Sequence, residues 1–271
     1  MSISDKIDRL QNAKDATLSV LRGKGVDVPD GAGFEEIPAL TEAIQTGGGN
    51  DDTLNQLIEG TLTHFYNEDI DTVRMRVFGY NATLKEVELP SAKTIGTAAF
   101  ASATALESVK LASVETLVVG AQDQQFYQCT KLKSVNMSSL KTVGAQSFYG
   151  CTSLKQVYFP SLARVGGNGF DNSGLETARL PNLTSIGNNA FKSSKLVALI
   201  LEGDTLATLD NINAFSGTPI ANGTGYIYVP RALLSDEDST MDYRRATNWV
   251  NFSEQFRAIE DHPEICGGGT E

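Results

Sequence analysis

The stretch that decides the fold reads Leu154-Lys-Gln-Val-Tyr-Phe-Pro-Ser-Leu-Ala-Arg-Val165-Gly166, then Phe170. It returns as Leu175-Glu-Thr-Ala-Arg-Leu-Pro-Asn-Leu-Thr-Ser-Ile186-Gly187, then Phe191. Working outward, the first leucine falls at Leu84, Leu106, Leu132, Leu154, Leu175 and Leu196, and Ile220 closes the series. The gaps are 22, 26, 22, 21, 21 and 24 residues. A period in this range marks a solenoid. Solenoids work through extended surfaces, so the period also shifts the search for function away from pockets.

Within each copy apolar residues recur three and five positions after the leucine: Val87 and Leu89, Val109 and Leu111, Val135 and Met137, Val157 and Phe159, Ala178 and Leu180, Leu199 and Leu201. That alternation predicts a strand with one side buried. A branched residue plus Gly follows at Ile95-Gly96, Val143-Gly144, Val165-Gly166 and Ile186-Gly187. The glycine is expected to turn a corner with positive φ. Five residues after the branched residue comes Phe100, Phe148, Phe170 or Phe191; the irregular copies carry Phe126 and Phe215, and Phe78 marks a truncated copy ahead of the first. One such unit cannot bury its own apolar side. Stacked parallel strands about 4.8 Å apart place each Leu and Phe on its equivalent, as an internal leucine ladder and a phenylalanine spine.

These residues resemble the BspA-like leucine-rich repeats, L-x-x-V-x-L-P-x-x-x-x-I-G-x-x-A-F-x-x-C-x-x-L, over roughly Asp71 to Ile220. The resemblance implies a short leucine-rich-repeat solenoid with a parallel β-sheet, capped at both ends. Tyr226-Ile-Tyr-Val-Pro230, Tyr243, Ala246-Thr-Asn-Trp249 and Phe256 look like the terminal unit of such arrays, interrupted by Leu234 to Met241. Tyr228, Tyr243, Trp249 and Phe252 are expected to close the open end of the core, with ligand binding the other reading of these aromatics. Leu57-Ile-Glu-Gly-Thr-Leu-Thr63 looks like the strand that opens the array.

The N-terminal segment has a different pattern. Ser2 to about Gly23 reads as a helix, with Ser2 and Asp5 as a capping box and Ile3, Ile7, Leu10, Leu18 and Leu21 on one side. A short second helix is expected from near Pro38 to Gln45, with Leu40 and Ile44 inside, before Thr46-Gly47-Gly48-Gly49-Asn50 stops it. So narrow a stripe lacks a core of its own. It packs into a helical hairpin, associates with copies of itself as a homo-oligomer, or docks on another protein. The segment is similar to N-terminal modules of bacteriophage tail and other virion proteins through Ile3 to Ala16, Lys24 to Pro29 and Pro38 to Ile44. The expected overall class is therefore α+β. Its parts are a helical attachment segment over 1–46, a Gly-rich linker over 47–52, the solenoid with its capping strand over 53–225, a C-terminal cap over 226–265 and a flexible tail over 266–271.

Net charge is −11. From Glu202 onward twelve acidic side chains face four basic ones, so this end carries −8. Phosphate contacts need clustered Lys and Arg, so nucleic acid is an unfavourable partner. No stretch is long and apolar enough to span a bilayer, and no basic segment followed by an apolar one opens the chain as a signal peptide. Cys129 and Cys151 hold the same place in neighbouring copies; a disulfide is conceivable, but buried small residues are the favoured reading. No spacing for a metal or cofactor is found, and His64 and His262 have no nucleophile motif beside them. Catalytic residues are not expected.

Strand residues between the buried ones point outward in two columns. One runs Glu86, Ser108, Ser134, Gln156, Thr177, Ala198; the other runs Glu88, Lys110, Asn136, Tyr158, Arg179, Ile200. Glu88, Lys110, Asn136, Gln156, Tyr158 and Arg179 are the candidate binding surface, against the alternative of an ordinary solvated sheet. The extra residues within Leu117 to Gln125 predict a bulging loop, either a tolerated insertion or a receptor loop. Well-known relatives of the repeat are bacterial surface proteins. The resemblances together imply a non-enzymatic virion structural protein in the tail, fibre or capsid decoration. It would be assembled in the host cytoplasm, bind other virion proteins through its helices, and present the repeats to a host-surface protein or glycan. The alternative is a bacterial BspA-like adhesion or protein-interaction module.

Overall fold

The computed structural model describes residues 61–117, 123–234 and 241–266. The helical segment over 1–46, the linker over 47–52, the inserted residues 118–122 and the acidic run Asp236-Glu237-Asp238 lie outside the described residues. Each turn contributes one three-residue strand and then one two-residue strand. The first kind are β1 (His64–Tyr66), β3 (Glu86–Glu88), β5 (Ser108–Lys110), β7 (Ser134–Asn136), β9 (Gln156–Tyr158), β11 (Thr177–Arg179) and β13 (Ala198–Ile200). The second kind are β2 (Thr72–Val73), β4 (Thr94–Ile95), β6 (Thr116–Leu117), β8 (Thr142–Val143), β10 (Arg164–Val165), β12 (Ser185–Ile186) and β14 (Thr208–Leu209). β15 (Tyr226–Val229) and β16 (Phe256–Ala258) complete the C-terminal end.

All pairing is parallel and advances one repeat at a time: Phe65 faces Val87, Val87 faces Val109, and Val109 faces Val135. The long-strand wall is two sheets, β1-β3-β5-β7 and β9-β11-β13-β15-β16. The short-strand wall is likewise two, β2-β4-β6 and β8-β10-β12-β14. Strands this short are not stable singly; they persist because each branched or leucine side chain drops into one shared interior. Leu84, Leu106, Leu132, Leu154, Leu175 and Leu196 are all fully buried, as are Ile95, Val143, Val165 and Ile186.

The third side of each turn is the phenylalanine spine. Phe78, Phe100, Phe126, Phe148, Phe170, Phe191 and Phe215 stack with centroids 5.0 to 5.7 Å apart and planes within 11°. A backbone ladder runs beside the rings. The N–H of Phe100, Phe126, Phe148, Phe170 and Phe191 donates to the carbonyl just before the next Phe, at Gln125, Ser147, Gly169, Ala190 and Ala214. It crosses the level where β7 and β9 belong to different sheets.

Among the described residues the chain is a β-solenoid of about six parallel turns with little helix, so the α part of the expected α+β class rests on the undescribed N-terminal segment. The recurring glycines Gly96, Gly144, Gly166 and Gly187 do not carry positive φ. Left-handed backbone falls two residues on either side of each Phe from Phe78 to Phe191, as at Ala98 and Ser102, Gln146 and Gly150, or Asn168 and Asn172. The glycines serve close approach instead: a Cβ on Gly96 would stand 2.6 Å from the Met75 nitrogen, and one on Gly187 would stand 3.0 Å from Gly166 carbon. Among the described residues the first strand is His64–Tyr66, whose Phe65 supplies the inward side chain that tilts over Phe78 at 5.2 Å; most of the expected opening stretch, Leu57 to Thr63, lies outside them. The copy around Phe78 is a full turn with both strands.

The far end is closed largely as expected. Trp249 and Phe252 cover Phe215, with centroids at 5.9 and 5.2 Å. Trp249 Nε1 donates to the Ala207 carbonyl at 2.7 Å, the Ala207 N–H donates to the Tyr243 hydroxyl at 2.8 Å, and Asn248 Nδ2 donates to the Leu209 carbonyl at 2.7 Å. These side chains satisfy the backbone of an edge strand that would otherwise invite another chain. Tyr228 departs from its expected role. It lies on the outer face of β15, where Ala198, Ile200 and Tyr228 are covered by Ile259 and Ile265.

Replacing Phe148 with Ala removes a fully buried ring from the middle of the stack. The expected loss is about 3–5 kcal/mol, read as a lower midpoint in guanidinium unfolding. Met75, 63% exposed, provides the contrast: its change to Ala should stay within about 0.5 kcal/mol.

Candidate functional site

The strand pleat decides which side chains can meet a partner. Inward positions are occupied by the core, so the varied residues lie on the outer wall of the long strands. Register places Tyr66, Glu88, Lys110 and Asn136 in one column of the first sheet. It places Tyr158, Arg179, Ile200 and Tyr228 in the corresponding column of the second. The six sequence-derived candidates therefore fall into two groups, Glu88, Lys110 and Asn136 before the seam, and Gln156, Tyr158 and Arg179 after it.

The first group is internally paired, with Lys110 Nζ 3.0 Å from Glu88 Oε2. In the second, the Arg179 guanidinium sits 5.0 Å from the Tyr158 ring centroid. It also donates from Nε and Nη2 to the Glu202 carboxylate, both at 2.8 Å. The columns end earlier than the period suggests. Ala198 and Ile200 are buried beneath the C-terminal segment. Two contributors were missed in sequence: Tyr66, 59% exposed at the head of its column, and Glu202. Each lies near one repeat length from a candidate, Tyr66 from Glu88 and Glu202 from Arg179, so the period itself was the available signal.

Other ion pairs run along the corners between neighbouring turns. Lys133 meets Glu107 at 2.6 Å, Lys141 meets Glu115 at 2.8 Å and Lys155 meets Glu176 at 2.8 Å. Hydrogen bonds from these lysines, then their charge, hold the three glutamates below their ordinary value. The Glu88 hydrogen bond likewise holds Lys110 above its own. All are exposed, so water screens them and their worth is mainly in register.

Among the described residues no three His, Cys, Asp or Glu side chains are grouped to hold a metal ion. No helix among them is long and apolar enough to cross a membrane. His64 lies 3.4 Å from Glu86, and His262 lies 3.2 Å from Glu264; both pairs are on the surface. Cys129 and Cys151 are free and buried. Their thiols donate to the carbonyls of Phe100 and Phe126 at 3.0 and 3.2 Å. Burial pushes Cys129 up to about 12 and Cys151 well above its ordinary value, so neither supplies a thiolate.

Among the described residues, fold and surface together define a repeat protein with a parallel-stranded outer wall. The BspA type leucine rich repeat region matches in 6 copies over residues 71–198 and 120–224, which together exceed half the chain. The chain belongs to this family, whose repeats are typically non-enzymatic binding domains. Among solved structures it is similar to a leucine rich cell surface protein of Faecalibacterium prausnitzii A2-165, at 22% identity and TM-score 0.46, covering 59% of this chain and 43% of that one. A leucine-rich repeat protein of Bacteroides ovatus ATCC 8483 is similar at 15% identity and TM-score 0.28, with 59% of each chain covered. The pneumococcal vaccine antigen PcpA is similar at 15% identity and TM-score 0.25, with 66% of this chain and 78% of that one covered. The chain thus spans less than two thirds of the length of the first two. No protein of curated description matches it.

Two outcomes are expected. In a chain carrying Cys266→Ser, Ellman's reagent should label neither Cys129 nor Cys151 until denaturant is added. The three lowered glutamates stabilise the fold fully at neutral pH and lose that contribution as pH falls through their lowered values, beneath the ordinary 4.5. Thermal melts across that range should therefore fall less steeply in a Lys133→Gln, Lys141→Gln, Lys155→Gln variant.

Proposed function

We propose that this chain is a bacterial adhesion or protein-interaction module that uses the outer wall of its long strands to bind a partner at a cell surface. One observation supports this most directly. The interior positions repeat with little variation, while the outward positions differ from turn to turn on a backbone register that is constant within each sheet. Such a wall lets partner recognition vary without disturbing the core. Family membership supports a binding role, and the sequence resemblance to repeats of bacterial surface proteins supports the location.

The virion reading rests on a different observation, the resemblance of Ile3 to Ile44 to phage tail modules. The family and the similar structures bring no phage context with them, so we place this reading second. In either setting the stripe Ile3, Ile7, Leu10, Leu18 and Leu21 is proposed to anchor the chain or assemble it into a homo-oligomer.

The two segments separate experimentally. Fluorescent full-length chain is expected to label bacterial or host cells, and a chain lacking residues 1–46 should label them through the wall with lower avidity. Failure of both forms to label any cell type would remove the adhesion reading. In light scattering the full chain is expected to be multimeric and Ile7→Asp with Leu10→Asp monomeric; a monomeric parent would remove the anchoring role as self-association.

A further inference from the structure

The outer wall contains a strip two strands wide, covered on one side and ended on the other by a break in strand pairing. That break is the seam, where β7 and β9 belong to different sheets while Ser134 and Asn136 beside it stay exposed. On the covered side, the next residues in both columns, Ala198 and Ile200, already lie beneath Ile259 and Ile265. Between these boundaries Gln156 pairs in register with Thr177, and Tyr158 pairs with Arg179. Two strands at ~4.8 Å and three residues at ~3.3 Å give a shelf of roughly 100 Å².

Tyr158 is the large apolar side chain on that shelf, 51% exposed. Its ring is held in place. The guanidinium of Arg179 lies against it at 5.0 Å, and that guanidinium is itself pinned by the Glu202 carboxylate. Arg179 and Glu202 retain only 23% and 24% side-chain exposure, so this support is partly shielded from water. A ring fixed before binding loses little conformational freedom when a ligand arrives.

The geometry points to a carbohydrate-binding site in which the exposed part of the Tyr158 ring stacks on the apolar face of a pyranose. Gln156 and Thr177 stand beside it to hydrogen-bond sugar hydroxyls, and Arg179 positions the ring. This rests on the surface-binding reading above and names its ligand class. A single aromatic plate with an amide and a hydroxyl beside it is on the scale of one sugar ring, whereas a protein partner would have to extend across β7 and the first sheet as well, to about 800 Å² on each side. Chemistry separates it from a lipid or other apolar ligand. The neighbours of Tyr158 are an amide, a hydroxyl and a guanidinium, and a single aromatic plate rimmed by polar groups complements a ring that is apolar on its face and hydroxylated at its edge.

The test applies the full chain to an array of immobilised bacterial and mammalian glycans, followed by calorimetric titration with the soluble form of each retained oligosaccharide. Retention of a subset is expected. Tyr158→Ala should weaken binding roughly tenfold or more, whereas Tyr158→Trp should keep it and both variants should melt with the parent. An array that retains nothing, or retained glycans bound equally by Tyr158→Ala, would overturn the proposal. Cell labelling before and after periodate oxidation of surface sugars keeps the two readings apart. Loss on oxidation supports the sugar site. Undiminished labelling overturns it while leaving surface binding intact. Array retention without labelling of any cell supports the sugar site and removes the surface reading.

Discussion

Everything in this molecule depends on one turn being able to lie on the next at a single spacing. Strand pairing demands about 4.8 Å, and the phenylalanine rings stack at 5.0 to 5.7 Å. The two distances are compatible, so backbone hydrogen bonds and ring contacts form together. The Phe-side ladder continues where β7 and β9 fall into separate sheets. It is therefore the continuous element of the array, and the walls are attached to it.

That spacing also explains where small residues and unusual backbone occur. Gly96 sits where the preceding turn comes too close for a Cβ, and Gly187 where a Cβ would be in tight contact with it. Left-handed residues on both sides of each Phe from Phe78 to Phe191 turn the chain sharply enough to aim the ring inward. Non-glycine residues in that conformation carry a cost, and here stacking on both neighbours offsets it. Among the described residues the end turns lack one neighbour, and aromatics stand in its place: Phe65 at the front, Trp249 and Phe252 at the back. Tyr243, Trp249 and Asn248 additionally bond the exposed backbone beside β14, so the last turn is closed in hydrogen bonding as well as in packing.

A core built this way leaves the outer wall free of structural duty over most of its length. Its charged residues largely pair with the adjacent turn, as Glu88 does with Lys110. The strip around Tyr158 differs because its cation is used to hold an aromatic ring in place while the ring stays open to solvent. The C-terminal segment contributes by limiting that strip, since Ile259 and Ile265 cover the next positions of the wall. Capping and definition of the surface are in this respect the same act.

The amino-acid sequence alone determined the period, the inward leucines and phenylalanines, the outward columns and the burial of Cys129 and Cys151. These follow from local alternation multiplied by repetition, and both are visible in one dimension. It also placed Tyr158 beside Arg179, because neighbours in a column are one period apart. Only the tertiary structure decided that Glu202 grips Arg179, that the wall divides between β7 and β9, and that Ala198, Ile200 and Tyr228 lie under the returning chain. It also showed His64–Tyr66 pairing with β3 and reassigned the glycines from turning to close approach. Each of these depends on contacts between turns or on a segment folding back from beyond the last repeat. A periodic pattern records what every turn shares; it carries no signal for where one turn departs from the next or for what covers it.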